Sequence, residues 1–89
     1  MSYVNVFCYG INSEQAGALA KALEVEVSYM DEDEEHLPTL EVESASDLLA
    51  LCYAFKSAVS INADFLDIYF DELSPSEIQK GMEYLGVEL

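Results

Sequence analysis

The sequence predicts an α+β domain whose elements follow the order β-α-β-β-α-β-α over residues 1–89. Segments 3–9, 24–29, 39–43 and 64–71 alternate apolar and polar residues with the period of a strand. Segments 13–23, 45–57 and 75–85 repeat apolar residues at the spacing of a helix face. The first and last of these helices open on recognisable capping residues.

Residues 3–9, Tyr-Val-Asn-Val-Phe-Cys-Tyr, set Val4, Val6 and Cys8 against Tyr3, Asn5, Phe7 and Tyr9, and Gly10 ends the strand. Asn12 or Ser13 caps the first helix, and Gln15 stands in capping-box position after Asn12. Ala16, Leu19, Ala20 and Leu23 mark its buried face. Gly17 weakens this helix by about 1 kcal/mol relative to Ala unless close packing requires it. In Glu-Val-Glu-Val-Ser-Tyr (24–29), Val25, Val27 and Tyr29 oppose Glu24, Glu26 and Ser28. In Thr-Leu-Glu-Val-Glu (39–43), Leu40 and Val42 oppose Thr39, Glu41 and Glu43. The pair reads as an antiparallel hairpin around a loop at 30–38 that holds Asp31-Glu32-Asp33-Glu34-Glu35-His36 and Pro38.

Ser44 to Asp47 opens a second helix that runs to about Ser57. Leu48, Cys52, Phe55 and Val59 make one stripe, and Leu49, Leu51 and Tyr53 widen it. A helix this apolar is expected to be covered on more than one side. Residues 64–71 set Leu66, Ile68 and Phe70 against Asp67, Tyr69 and Asp71. Ser74-Pro75-Ser76-Glu77 combines a Ser cap, Pro at the first helical position and a capping-box Glu. Ile78, Met82 and Leu85 form the stripe of this third helix, Gly86 stops it, and residues 87–89 add a short strand or pack against it. The first six elements match the ferredoxin-like βαββαβ arrangement. Right-handed crossovers then put both helices on one face of an antiparallel sheet, with an additional C-terminal helix.

At 52% hydrophobic residues, the chain has the means to build one core and is no disordered acidic tail. Its charge is extreme: 18 Asp and Glu face Lys21, Lys56 and Lys80, with no Arg, for a net charge of -15. Solubility in a small domain is served by a net charge of about 2–8, so the excess calls for another explanation. Direct binding to DNA, RNA or an anionic membrane is excluded by the lack of cations. The segment Met1–Gly10 has no basic stretch, and no run reaches the ~18 apolar residues of a membrane span. The expected setting is cytoplasmic, with Cys8 and Cys52 reduced and packed in apolar stripes.

Candidate chemistry is thin. The single histidine, His36, lies inside the acidic run, away from any thiol or hydroxyl held as a nucleophile. The four glycines form no phosphate-cradling loop. With 18 carboxylates, proximity of any two carries no information. Asp31, Asp33 and Glu35 alternate like calcium ligands, but His36 and Val42 stand where an EF-hand loop needs Gly and Glu. An acyl carrier domain is excluded by the strands and by the absence of Asp-Ser-Leu. No enzyme activity, cofactor or metal is expected.

The charge pattern points to binding. If the apolar strand residues face the core, the other face carries Glu24, Glu26, Glu41, Glu43, Asp67, Tyr69 and Asp71, interleaved with Tyr3, Phe7 and Tyr9. Asp31, Glu32, Asp33, Glu34 and Glu35 extend it. Carboxylates on alternate strand residues lie ~6.6–6.8 Å apart. A solvated sheet face of ordinary composition mixes charge signs, whereas these strands contain neither Lys nor Arg. The expected partner is a basic protein, met by a small acidic inhibitor that occupies its nucleic-acid-binding surface. Anti-CRISPR and anti-restriction proteins of phages and mobile elements are the nearest functional class. The alternatives are an immunity protein or antitoxin that neutralises a basic toxin, and an adaptor that forms a homodimer through the second helix.

Self-repulsion among the carboxylates should oppose folding, and salt screens it within a Debye length of ~10 Å at 0.1 M. The thermal midpoint is therefore expected to rise with added NaCl in a calorimetric scan. A midpoint that falls steadily would show that favourable ion pairs dominate.

Overall fold

The computed structural model describes residues 3–32 and 35–87, with residues 30–32 and 35–36 described by their backbone. Among the described residues the chain forms β1 (Val4–Tyr9), α1 (Ser13–Leu23), β2 (Glu26–Glu32), β3 (Glu35–Val42), α2 (Ala45–Ala54), β4 (Val59–Ile61), β5 (Phe65–Tyr69), a 3-10 turn (Phe70–Glu72) and α3 (Pro75–Tyr84). The strands make one sheet in the order β2-β3-β1-β5-β4.

Both caps form as expected. The Asn12 side chain accepts the Gln15 backbone N–H at 2.8 Å, and the Gln15 side chain accepts the Asn12 N–H at 3.0 Å. At α3 the Ser74 hydroxyl accepts the Glu77 N–H, and the Glu77 carboxylate accepts the Ser74 N–H. Each box satisfies two of the donors that a helix start leaves without an intrahelical partner.

The α+β class stands, but the sheet is mixed. β1 is antiparallel to β3 and parallel to β5. The cause is β4, which the sequence reading merged with the end of the second helix. After α2 the chain forms β4 at the sheet edge and turns, with Asn62 N–H donating to the Phe65 carbonyl at 2.9 Å. It returns as β5 between β4 and β1. That extra reversal flips the last strand, so the sheet departs from the antiparallel ferredoxin-like plan there.

The hairpin also differs. β2 and β3 stay in register from Glu26 opposite Glu41 to Glu32 opposite Glu35. Asp31, Glu32, Glu35 and His36 are thus strand positions rather than a loop, because backbone pairing continues past the alternating segments. Asp33 and Glu34 lie outside the described residues, as do Glu88 and Leu89 of the suggested C-terminal strand. Pro38 is tolerated within β3 because β3 pairs with β1 only from Thr39 onward, so a missing N–H there breaks no ladder to β1. Three expected binding residues fall just off the strand ends, among them Glu43, which follows β3. Glu24 is the left-handed C-cap of α1, at φ 56°, and Asp71 sits in the 3-10 turn.

One core holds the layers together. Val6 and Cys8 of β1, Leu40 and Val42 of β3, and Leu66 and Ile68 of β5 pack with Leu19 of α1, Leu51 of α2 and Met82 of α3. All three described helices therefore cover the same face of the sheet. α2 is covered on one side only: Leu51 and Phe55 are buried, while Leu49 and Tyr53 are exposed at 70% and 67%. Tyr53 instead meets Tyr84 of α3, with ring centroids 5.2 Å apart. Both cysteines are free, and burial pushes the Cys8 thiol up to about 12, so it is inert as a nucleophile at neutral pH.

Two glycines are required by close approach. Gly10 ends β1 at φ 91°, and a side chain there would meet the Asp71 backbone. Gly81 lets α3 settle on Phe55, whose ring occupies the space a Cβ would need and is itself held edge-on by Phe70 at 4.9 Å. Gly81→Ala gains about 1 kcal/mol of helix propensity but overpacks a buried ring, which costs roughly 1–3 kcal/mol. A net loss of up to about 2 kcal/mol is expected in urea denaturation; a stabilised variant would contradict the packing.

Candidate functional site

The face of the sheet opposite the helices is open. By strand alternation it presents Asn5, Phe7 and Tyr9 from β1, Glu26 and Ser28 from β2, Thr39 and Glu41 from β3, Ser60 from β4, and Phe65, Asp67 and Tyr69 from β5. Chain polarity divides this surface into an acidic end and an aromatic centre.

The acidic end is built around Glu26 and Glu41, directly opposite one another on β2 and β3. Directly opposed side chains on an antiparallel pair have Cβ atoms ~4.5–5.5 Å apart, and like charges there destabilise the sheet. Asn5 of β1 stands on the other side of Glu41, so no cation separates the row from the sheet centre. Glu24, Glu43 and Asp47 gather at the same end, and with Glu26 and Glu41 they line a shallow recess of about 470 Å³. Lys21, Lys56 and Lys80 all lie outside the strands.

The aromatic centre resolves a conflict in the sequence. Phe7 and the tyrosines are costly to expose, and no described helix packs over them. α3 lies with the other helices, and the rings cover each other. Phe7 and Phe65 meet edge to face at 5.6 Å, and Tyr9 stacks on Tyr69 at 4.8 Å. These pairs leave the rings half-buried, and Thr39, opposite Phe7 on β3, is buried. Such pairs contribute about 0.5–1.5 kcal/mol beyond area burial. Tyr29, expected in the core, sits at the edge of the helical face, where its hydroxyl donates to the Ser13 carbonyl at 3.1 Å.

Of the expected binding residues, Glu26, Glu41, Asp67 and Tyr69 share the open face. Glu24 and Glu43 flank its acidic end, and Asp71 follows β5 in the 3-10 turn. Asp31, Glu32 and Glu35 continue along the hairpin strands; Asp33 and Glu34 are outside the described residues. The sequence reading missed Phe65, which the alternation of β5 would have placed on this face. It also missed Asp47, whose helix-start position gave no sign of its nearness to Glu24 and Glu43.

Among the described residues, no group of three or more His, Cys, Asp or Glu is arranged to hold a metal ion, and no helix is long and apolar enough to cross a membrane. No family model, curated protein or solved structure matches the chain.

Asp67 and Tyr69 are neighbours on the face, and the Tyr69 phenol is held above its ordinary range by desolvation, then by the charge and hydrogen bond of Asp67, with Glu72 and Asp71 adding to it. The folded phenol keeps its proton to higher pH than the unfolded one. The linked stability is therefore present below the ordinary tyrosine range of ~10 and is lost as pH rises through the raised folded value. Asp67→Asn is expected to lower the Tyr69 pKa in an NMR titration of labelled tyrosine. An unchanged value would show that Asp67 does not act on the phenol.

Proposed function

We propose that this chain is a small acidic inhibitor that occupies the nucleic-acid-binding surface of a basic protein in the cytoplasm. The observation that carries the reading is the helix-free sheet face, where Glu26 and Glu41 stand opposed without a cation and Asp67 continues the charge between aromatic rings. An acidic row beside rigid aromatics can engage Lys and Arg side chains that otherwise contact phosphates, while the tyrosines anchor the interface.

The opposed glutamates support the reading energetically. A like-charge pair opposes folding on its own. A basic partner relieves that repulsion on binding, so the strain becomes part of the affinity. The acidic run Asp31-Glu32-Asp33-Glu34-Glu35 extends the field and raises the rate of encounter. The class of biology that best suits such a molecule is anti-defence, as in anti-CRISPR or anti-restriction inhibitors, where blocking a nucleic-acid site is sufficient for activity.

Affinity capture from the native cell or host, followed by mass spectrometry, is expected to return a basic nucleic-acid-binding protein or nuclease that nucleic acid displaces from the chain. The variant Glu26→Lys, Glu41→Lys, Asp67→Lys should lose that partner by roughly a hundredfold or more, since like charges then meet across the interface. Replacing Asp31, Glu32, Asp33, Glu34 and Glu35 by Asn or Gln should mainly slow association. Undiminished binding by the folded sheet variant would place the contact elsewhere.

A further inference from the structure

Two of the chain's three lysines line one recess. Between the end of α2 and the middle of α3 lies a cavity of about 370 Å³, with Tyr53, Lys56 and Ser57 on one wall and Lys80, Gly81 and Tyr84 on the other. The third lysine, Lys21, sits in the last turn of α1, outside it. Gly81 lets the Phe55 ring settle against α3 and form the floor. The chain then leaves α2 in a tight turn, where Ala58 N–H donates to the Phe55 carbonyl at 2.9 Å, and this turn carries Lys56 and Ser57.

These cations are left without a carboxylate in a chain that has 18. The acids three residues either side of Lys80 are held by other donors. Glu77 accepts the Ser74 N–H at 3.2 Å and the Ser74 hydroxyl at 2.9 Å, and Glu83 accepts the Gln79 side-chain amide at 3.4 Å. Among the described residues neither Lys56 nor Lys80 forms an ion pair. Tyr53 and Tyr84 are exposed beside them, with ring centroids 5.2 Å apart and planes tilted by 33°.

We propose that this recess between α2 and α3 binds a small aromatic anion, a planar ring that carries one carboxylate or phosphate. The ring lies against Tyr53 and Tyr84, and the oxyanion takes charge-assisted hydrogen bonds from Lys56 and Lys80, with the Ser57 hydroxyl as a further donor. The volume falls within the ~300–1,000 Å³ of small-molecule sites. The ligand has to be small because the net charge is -15. A long polyanion would run over carboxylates, whereas a single anionic group meets only the local cations. The site is separate from the acidic sheet face, since α2 and α3 pack on the other side of the sheet.

NMR titration of the labelled protein with adenosine monophosphate and with naphthoate tests the proposal and separates a phosphate from a carboxylate ligand. Adenosine and inorganic phosphate supply the ring and the anion alone. Saturable shifts at Tyr53, Lys56, Ser57, Lys80 and Tyr84 are expected with at least one ring-bearing anion, at an affinity about tenfold or more above either part alone. Lys56→Gln and Lys80→Gln should each weaken binding by about tenfold. Lys21→Gln, which alters the net charge equally, should leave it unchanged. No saturable shift with either ring-bearing anion would overturn the proposal. So would an equal affinity for inorganic phosphate, meaning an adventitious ion only, or an equal loss in Lys21→Gln, meaning an effect of charge at large.

Discussion

Repulsion among carboxylates governs how this chain can fold. With 18 acids against three lysines, most carboxylates have no cation to pair with and must stay in water. The core is correspondingly free of charge: its buried members are aliphatic and aromatic residues, Cys8 and the alanines of α1. Stacking all three described helices on one sheet face concentrates apolar surface there. The carboxylates of Glu26, Glu41 and Asp67 are left to the other face, where solvent can reach them. The asymmetry between the faces thus follows from the charge imbalance as much as from strand alternation.

That partition explains the aromatic pairs. An acidic face still needs apolar contact to hold five strands flat enough to pack. Phe7 with Phe65, and Tyr9 with Tyr69, tie β1 to β5 across the parallel pairing from the solvent side. They stiffen the middle of the sheet, and the opposed Glu26 and Glu41 are then held in place despite their repulsion. Rigid rings beside fixed carboxylates make a preorganised surface, which lowers the ordering cost of binding.

Local physics made much of this legible in the sequence. The capping boxes at Asn12 and Ser74 depend on side chains three residues apart, so α1 and α3 could be placed closely. The core residues of β1, β3 and β5 follow from alternation. β4 was not legible because Val59 continues the apolar spacing of α2, and three residues are too few to establish a strand period; its pairing with β5 creates it. Strand propensity disfavours Asp and Glu, so the acidic run read as a loop. The register of β2 on β3 overrides that preference. On the site, Glu26, Glu41, Asp67 and Tyr69 were legible from alternation. The gathering of Glu24, Glu43 and Asp47 was not, because only the fold brings a helix C-cap beside the start of another helix.

The central claim is that the open sheet face, and not the charge at large, is where cations are received. Titration of the isotopically labelled protein with a short oligoarginine peptide, followed by NMR of backbone amides and aromatic rings, tests it directly. The largest shifts are expected at Glu26, Glu41, Phe7, Asp67 and Tyr69, with α1, α2 and α3 little changed. Shifts spread evenly over exposed carboxylates, including Glu14, Glu77 and Glu83 on the helices, would mean that the acidity is a solvated coat with no dedicated face.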